Sequence, residues 1–125
     1  GDAEYQKYFR GLGAAIGKRN GDALRVDADV ARAVRAEKLN ILTSRWQRRY
    51  DLAIATNVLV YFNPDELALA LANVGAMLGP GAWLLHNEVR AEVDPIAAEA
   101  GLEAVQARTV RVGSLFDAVA IYRMR

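Results

Sequence analysis

The chain contains no cysteine, a single histidine and only three prolines among 125 residues. Without cysteine there is neither a disulfide framework nor a thiolate metal site, and the lack fits a reducing compartment. An excess of one charge sign is missing too. Sixteen basic and 15 acidic residues leave a formal net charge of +1, too little to steer a nucleic acid or an anionic membrane surface. No long apolar run is present. Leu67 to Leu78 is interrupted by Asn73 and Gly75 and falls short of the ~20 residues of a bilayer-crossing helix. The opening, GDAEYQKYF, has acidic residues and no apolar centre, so it is not read as a secretory signal. A cytoplasmic location with no membrane partner is the default expectation.

Hydrophobic residues at 53% and charged residues at 25% describe an ordinary globular protein. A chain of this length is expected to form one domain over residues 1–125 and to bury about two-thirds of its unfolded surface. Tyr5, Tyr8, Phe9, Leu12 and Ile16 recur at helical spacing and predict an amphipathic helix over residues 2–16. GKRNG at 17–21 reads as a loop. A short helix is predicted from about Asp29 to Glu37, capped by Asp27 or Asp29. Leu39 to Leu42 reads as a short strand and TSRWQRR as a connecting loop.

The segment YDLAIATNVLVYFNPDELALALANVGAMLGPGAWLLHNE, Tyr50 to Glu88, carries the most information. It reads as strand, polar break, helix, turn and strand, the βαβ crossover of a parallel sheet. Leu52, Ile54, Val58 and Val60 predict a strand over 50–60, apolar enough to be buried on both faces. Asn63, Pro64, Asp65 and Glu66 give cap, first helical residue and acidic first turn, with the capping-box spacing. The helix is predicted over 64–78, with Leu67, Leu71, Val74 and Leu78 as its buried stripe. A strand over 83–88 and a short helix near 95–100 follow. Strands at about 102–112 and 115–125, joined at Gly113-Ser114, predict an antiparallel hairpin.

ATNVLVYF followed by MLGPGAWLLHNE resembles the fourth strand, following helix and fifth strand of class I S-adenosylmethionine (SAM) dependent methyltransferases. Within them it is most similar to the chemotaxis-receptor glutamate O-methyltransferases, whose pattern here is roughly Arg-Asn-Val-x-Ile-Tyr-Phe. Thr56 stands where that branch usually has arginine. Tyr8-Phe9 and Leu39-Asn40-Ile41 also follow the family's order, so the resemblance spans roughly residues 8–90. It implies an α/β, Rossmann-like partial sheet, parallel with a C-terminal antiparallel hairpin whose last strand lies between the fifth and the sixth. It implies SAM as cofactor and an enzyme that transfers methyl from SAM to an acceptor not identified by the sequence. A protein carboxylate is one candidate acceptor, because its methylation requires no base. The cofactor residues implied are Asn40, Ile41, Thr56 and Asn57, and Tyr61 is the catalytic candidate bordering the transferred methyl. No metal is implied.

The family's glycine-rich SAM turn and acidic second-strand residue have no counterpart here. By the resemblance, the chain is expected to be the C-terminal part of a methyltransferase domain, with weak or absent SAM affinity in isolation. Without the first strand, the 50–60 strand is expected to be a sheet edge. Homodimerisation through that edge or the N-terminal helix is expected. The alternative is a non-catalytic binding or dimerisation module that keeps the half-sheet as scaffold. GLGAAIG at 11–17 follows a helical pattern rather than a strand, so it is not read as a dinucleotide loop. Arg45-Trp46-Gln47-Arg48-Arg49 has no further basic stripe beside it and reads as a solvated loop, so no nucleic-acid partner is expected. His86, in a strand, reads as structural, and Glu88 as a solvated strand-end carboxylate.

Overall fold

The computed structural model describes residues 16–125 apart from 22, together with residues 3 and 7. The chain divides into two compact units, residues 1–38 and 39–125. The helix predicted over 2–16 and the glycine run at 11–17 fall almost wholly outside the described residues.

In the first unit, β1 (Gly17–Asn20) and β2 (Ala23–Val26) pair antiparallel, with Gly17 opposite Val26 and Asn20 opposite Ala23. This corrects the loop predicted for 17–21. Gly21 adopts φ +60°, the left-handed conformation that lets a hairpin close tightly. Helix α1 runs from Ala28 to Ala33, with Asp27 at the cap position but making no side-chain capping bond.

The second unit is a four-stranded sheet crossed by two helices. Its elements are β3 (Tyr50–Ala55), α2 (Pro64–Met77), β4 (Leu78–His86), α3 (Val93–Glu99), β5 (Leu102–Val112) and β6 (Leu115–Met124). The strand order is β3-β4-β6-β5. β3 and β4 are parallel. The tail is the expected hairpin, and its last strand lies between β4 and β5.

α2 forms where the sequence placed it. The Asn63 side chain accepts from the Glu66 amide at 2.9 Å, and the Glu66 carboxylate accepts from the Asn63 amide at 3.1 Å. Leu67, Leu71, Val74 and Leu78 are buried with Leu84, Ala82, Ala120 and Tyr122 of the sheet. On β4, Ala82, Leu84 and His86 are buried while Trp83 is exposed, the alternation of a strand covered on one face.

Three expectations are corrected here. The 50–60 strand stops at Ala55, because Asn57 takes φ +56° and a short 3₁₀ turn follows at Leu59–Tyr61. Its large apolar side chains are not buried on both faces. Leu52 and Ile54 are 49% and 64% exposed, while Ala53 and Ala55 pack against the core. β3 is the edge of the described sheet, with Leu52 beside Trp83 on the face away from the buried residues. Finally, Leu39–Leu42 is not a strand. The Asn40 side chain accepts from the Leu42 amide at 3.1 Å, and its carbonyl accepts from the Ser44 amide at 2.9 Å. A short amide offering the backbone local bonds favours a turn over a ladder.

Gly75 fixes how α2 meets the end of α3. A Cβ there would lie 2.6 Å from the Ala100 carbonyl oxygen. Gly75→Ala is therefore expected to lower stability by about 1 kcal/mol or more, despite the ~1 kcal/mol helix-propensity advantage of alanine. Asn63→Ala should lose about 1 kcal/mol with the capping box. Urea unfolding of both variants checks these values, and a Gly75→Ala protein more stable than the parent would exclude the close approach.

Candidate functional site

Of the polar residues predicted for function, Thr56, Asn57 and Tyr61 follow the carboxyl end of β3, the end where open α/β sheets hold ligands. Asn57 and Asn87 clasp each other there. The Asn57 amide N–H donates to Asn87 Oδ1 at 2.8 Å, and Asn87 Nδ2 donates to Asn57 Oδ1 at 2.8 Å. The left-handed backbone of Asn57, which asparagine tolerates better than most residues, turns the chain so that both bonds form. Asn57 Nδ2 has no partner among the described residues. Thr56 precedes it in the same bend and is exposed. Tyr61 ends the 3₁₀ turn at 79% exposure, with an open hydroxyl rather than a buried one.

Asn40 and Ile41 are held elsewhere, against α2. Asn73 Nδ2 donates to the Ile41 carbonyl at 2.7 Å, and the Ile41 side chain packs on the core. Ile41 lines a cavity of about 470 Å³ together with Leu39, Trp46, Leu52, Ile54 and Val58. That volume suits a small-molecule cleft. Of the predicted site residues only Ile41 lines it; Asn40, Thr56, Asn57 and Tyr61 do not.

Sequence reading missed a buried polar group beside this end. His86 is 1% exposed, and its Nδ1 accepts from the Glu88 amide at 3.2 Å. Its ring stacks on Tyr122 with centroids 4.9 Å apart. The Tyr122 hydroxyl donates to the Asp94 carboxylate. Glu88 is not solvated, as the sequence reading had it, but 7% exposed. Its carboxylate accepts from the Arg90 amide at 3.0 Å and lies 3.2 Å from Arg90 Nε. Arg90 Nη2 also donates to the Leu59 carbonyl at 3.1 Å, tying the 3₁₀ turn to the segment after β4. Glu88, Arg90, Asp94 and Tyr122 line a second cavity of about 320 Å³. The available signal was Glu88-Val89-Arg90, opposite charges flanking an apolar residue directly after a strand.

Burial governs the protonation of this group. Desolvation holds the His86 pKa below its ordinary value of 6.5, against the opposing fields of Glu88 and Asp94. Burial, and then the bond to Asp94, push the Tyr122 hydroxyl well above its usual range. With Nδ1 accepting, the neutral His86 ring carries its proton on Nε2, a buried atom with no hydrogen-bond partner.

No protein-family model matches the sequence, and no curated protein matches it. Solved structures do match. The N-methyltransferase NodS from Bradyrhizobium japonicum WM9, in complex with S-adenosyl-L-homocysteine, superposes with a TM-score of 0.58 at 24% identity, covering 69% of this chain and 52% of that one. The fold is that of SAM-dependent methyltransferases. A TehB-like SAM-dependent methyltransferase from Corynebacterium glutamicum gives a TM-score of 0.55 at 22% identity, covering 69% and 54% of the two chains. The magnesium protoporphyrin IX methyltransferase ChlM from Synechocystis PCC 6803, with bound SAM, gives 0.56 at 10% identity, covering 70% and 44%. The chain thus spans about half the length of the structures it matches. No helix among the described residues is long and apolar enough to cross a membrane.

His86 is the only histidine, so its titration can be followed cleanly. Because its folded pKa is depressed, the neutral ring supports the fold fully above the ordinary value of 6.5. As pH falls below that value the unfolded chain takes up a proton that the native site refuses, and stability declines. Urea midpoints measured from about pH 7.5 to about pH 5.5 should fall in the parent and fall less in His86→Phe. Identical slopes in the two proteins would contradict a depressed His86 pKa.

Proposed function

We propose that this chain carries part of the catalytic machinery of a SAM-dependent methyltransferase. The observation that carries the reading is the parallel β3–α2–β4 unit with the Asn57–Asn87 amide pair at its carboxyl end, in a fold whose solved examples hold SAM or its product. The residues present fit the cofactor. Asn57 Nδ2, without a partner among the described residues while its Oδ1 is engaged by Asn87, can donate to the methionine carboxylate of SAM. Asn40 Nδ2 has no partner among the described residues, its Oδ1 being taken by the Leu42 amide, and can donate to an adenine ring nitrogen. Ile41, at the apolar cavity, can cover the adenine face, and Thr56, beside Asn57 in the bend after β3, offers a hydroxyl to the cofactor. SAM supplies a methyl activated on a sulfonium; the protein orients the acceptor and excludes water. Tyr61 is assigned to border the acceptor.

The acceptor we favour is a carboxylate on a protein, as in the chemotaxis-receptor branch that the sequence resembles. A carboxylate is already nucleophilic at neutral pH, and the exposed lip of Val58, Val60 and Tyr61 is open to a macromolecule. Within this reading the β3 edge pairs with another strand. Leu52 and Ile54 present apolar side chains on a bare face, and no proline or lysine interrupts Tyr50–Ala55 to discourage pairing. A second copy of the chain, in a two-fold dimer, is the partner proposed for the isolated protein. A non-catalytic dimerisation module would show the same association without SAM binding.

Calorimetric titration with SAM tests the cofactor assignment. In an intact parent domain, Asn57→Gly keeps the left-handed backbone and removes the amide, so SAM affinity should fall by about tenfold for the loss of one polar contact without loss of fold; the isolated chain should bind SAM weakly or not at all. Tyr61→Phe should lower turnover more than SAM affinity. Unchanged SAM affinity in both Asn57→Gly and Asn40→Ala would move the cofactor elsewhere. Light scattering across a concentration series tests the edge, and a strict monomer at all concentrations would refute the proposed pairing.

A further inference from the structure

At the opposite end of the sheet from Asn57 and Asn87 lies a cavity of about 560 Å³. Its wall is the loop that enters β3, with Arg45, Trp46, Arg48 and Arg49, and its floor includes Ala72 and Ala76 of α2. The loop arginines do different things. Arg49 Nη1 donates to the Leu78 carbonyl at 3.2 Å, which satisfies a carbonyl just past the C-terminus of α2. Arg45 and Arg48 have no carboxylate or carbonyl partner among the described residues, and both are exposed. Two unneutralised guanidinium groups beside a third, around one concave space, repel each other and are relieved by a multivalent anion.

Trp46 gives that anion a body. Its backbone N–H is fixed on Met77 Sδ at 3.3 Å and its ring packs edge-on against Tyr50, centroids 6.0 Å apart. The indole is still partly exposed and borders the cavity. Ala72 and Ala76, on one face of α2 and both exposed, leave room that larger side chains would fill. A fork-shaped guanidinium matches a phosphate through paired hydrogen bonds, and an aromatic face accepts a base by stacking. A single carboxylate would leave most of the positive charge unmatched. A di- or triphosphate would not.

We propose that this cavity binds a nucleotide polyphosphate, its phosphates held by Arg45 and Arg48 and its base lying against Trp46. The site shares Trp46 with the apolar cavity that Ile41 lines, but none of Asn40, Thr56, Asn57 and Tyr61. It does not depend on that assignment.

The chain has two tryptophans, so in a Trp83→Phe background the fluorescence is that of Trp46, and the Arg45→Gln/Arg48→Gln variant separates this cavity from the apolar one that Trp46 also lines. Fluorescence and calorimetric titrations of this protein with ADP, inorganic pyrophosphate and a short single-stranded RNA, at low and high salt, form the test. ADP should quench Trp46 and bind about tenfold more tightly than pyrophosphate, the difference being the stacked base. Affinity for both should fall as salt rises. Arg45→Gln/Arg48→Gln should weaken both by at least tenfold while circular dichroism stays unchanged. Absence of ADP binding at millimolar concentration, or equal affinity in the double variant, would overturn the proposal. So would RNA binding more tightly than ADP, which would make the loop a nucleic-acid contact instead.

Discussion

The second unit depends on the burial of one helical stripe. Leu67 and Leu71 of α2 and Leu78 and Leu84 of β4 are all fully excluded from water, and each such leucine contributes about 1.5–3 kcal/mol. The capping box fixes where α2 starts, and the approach of Gly75 to Ala100 fixes how its far end sits on the α3 terminus. With helix and strand locked this way, β3 and β4 take a parallel register that pairs Ala55 with His86. Asn57 and Asn87, two and one residues further along, then come within hydrogen-bonding distance. The amide clasp, between residues 30 apart in sequence, is thus a consequence of leucine packing.

The two ends of this unit differ in chemistry. The carboxyl end gathers amides, an exposed tyrosine and the buried His86–Tyr122–Asp94 group, with charge mostly neutralised by the Glu88–Arg90 pair. The opposite end gathers guanidinium groups around an aromatic ring. A near-zero net charge therefore conceals a separation of chemistry along the strand axis. The carboxyl end can accommodate a cofactor through amide donors, whereas the other end can attract a multiply charged anion.

Much of this was legible from local signals. The Asn63–Glu66 capping box, the leucine stripe, and the glycine at the hairpin turn each express short-range chemistry that no tertiary contact overrides. The errors share a physical cause. Strand β1 is polar and exposed, so its residues carry no alternating pattern. The β3 run is apolar throughout, and apolarity alone cannot report that the chain turns at Asn57 or that one face stays bare. Asn40-Ile41 fits a strand by composition, but the asparagine side chain diverts the backbone into a turn.

The sequence by itself determined the crossover unit, the hairpin tail and the class of fold, because hydrophobic periodicity and helix caps act between residues a few positions apart. Only the tertiary structure decided the partners of the polar residues. Asn57 with Asn87, Glu88 turned inward to Arg90, His86 stacked on Tyr122, and the arginines set around a cavity are all contacts whose distances depend on packing, not on order along the chain. A side-chain amide or carboxylate looks the same in a sequence whether it is solvated or buried. Its desolvation and its partner exist only once the strands have docked.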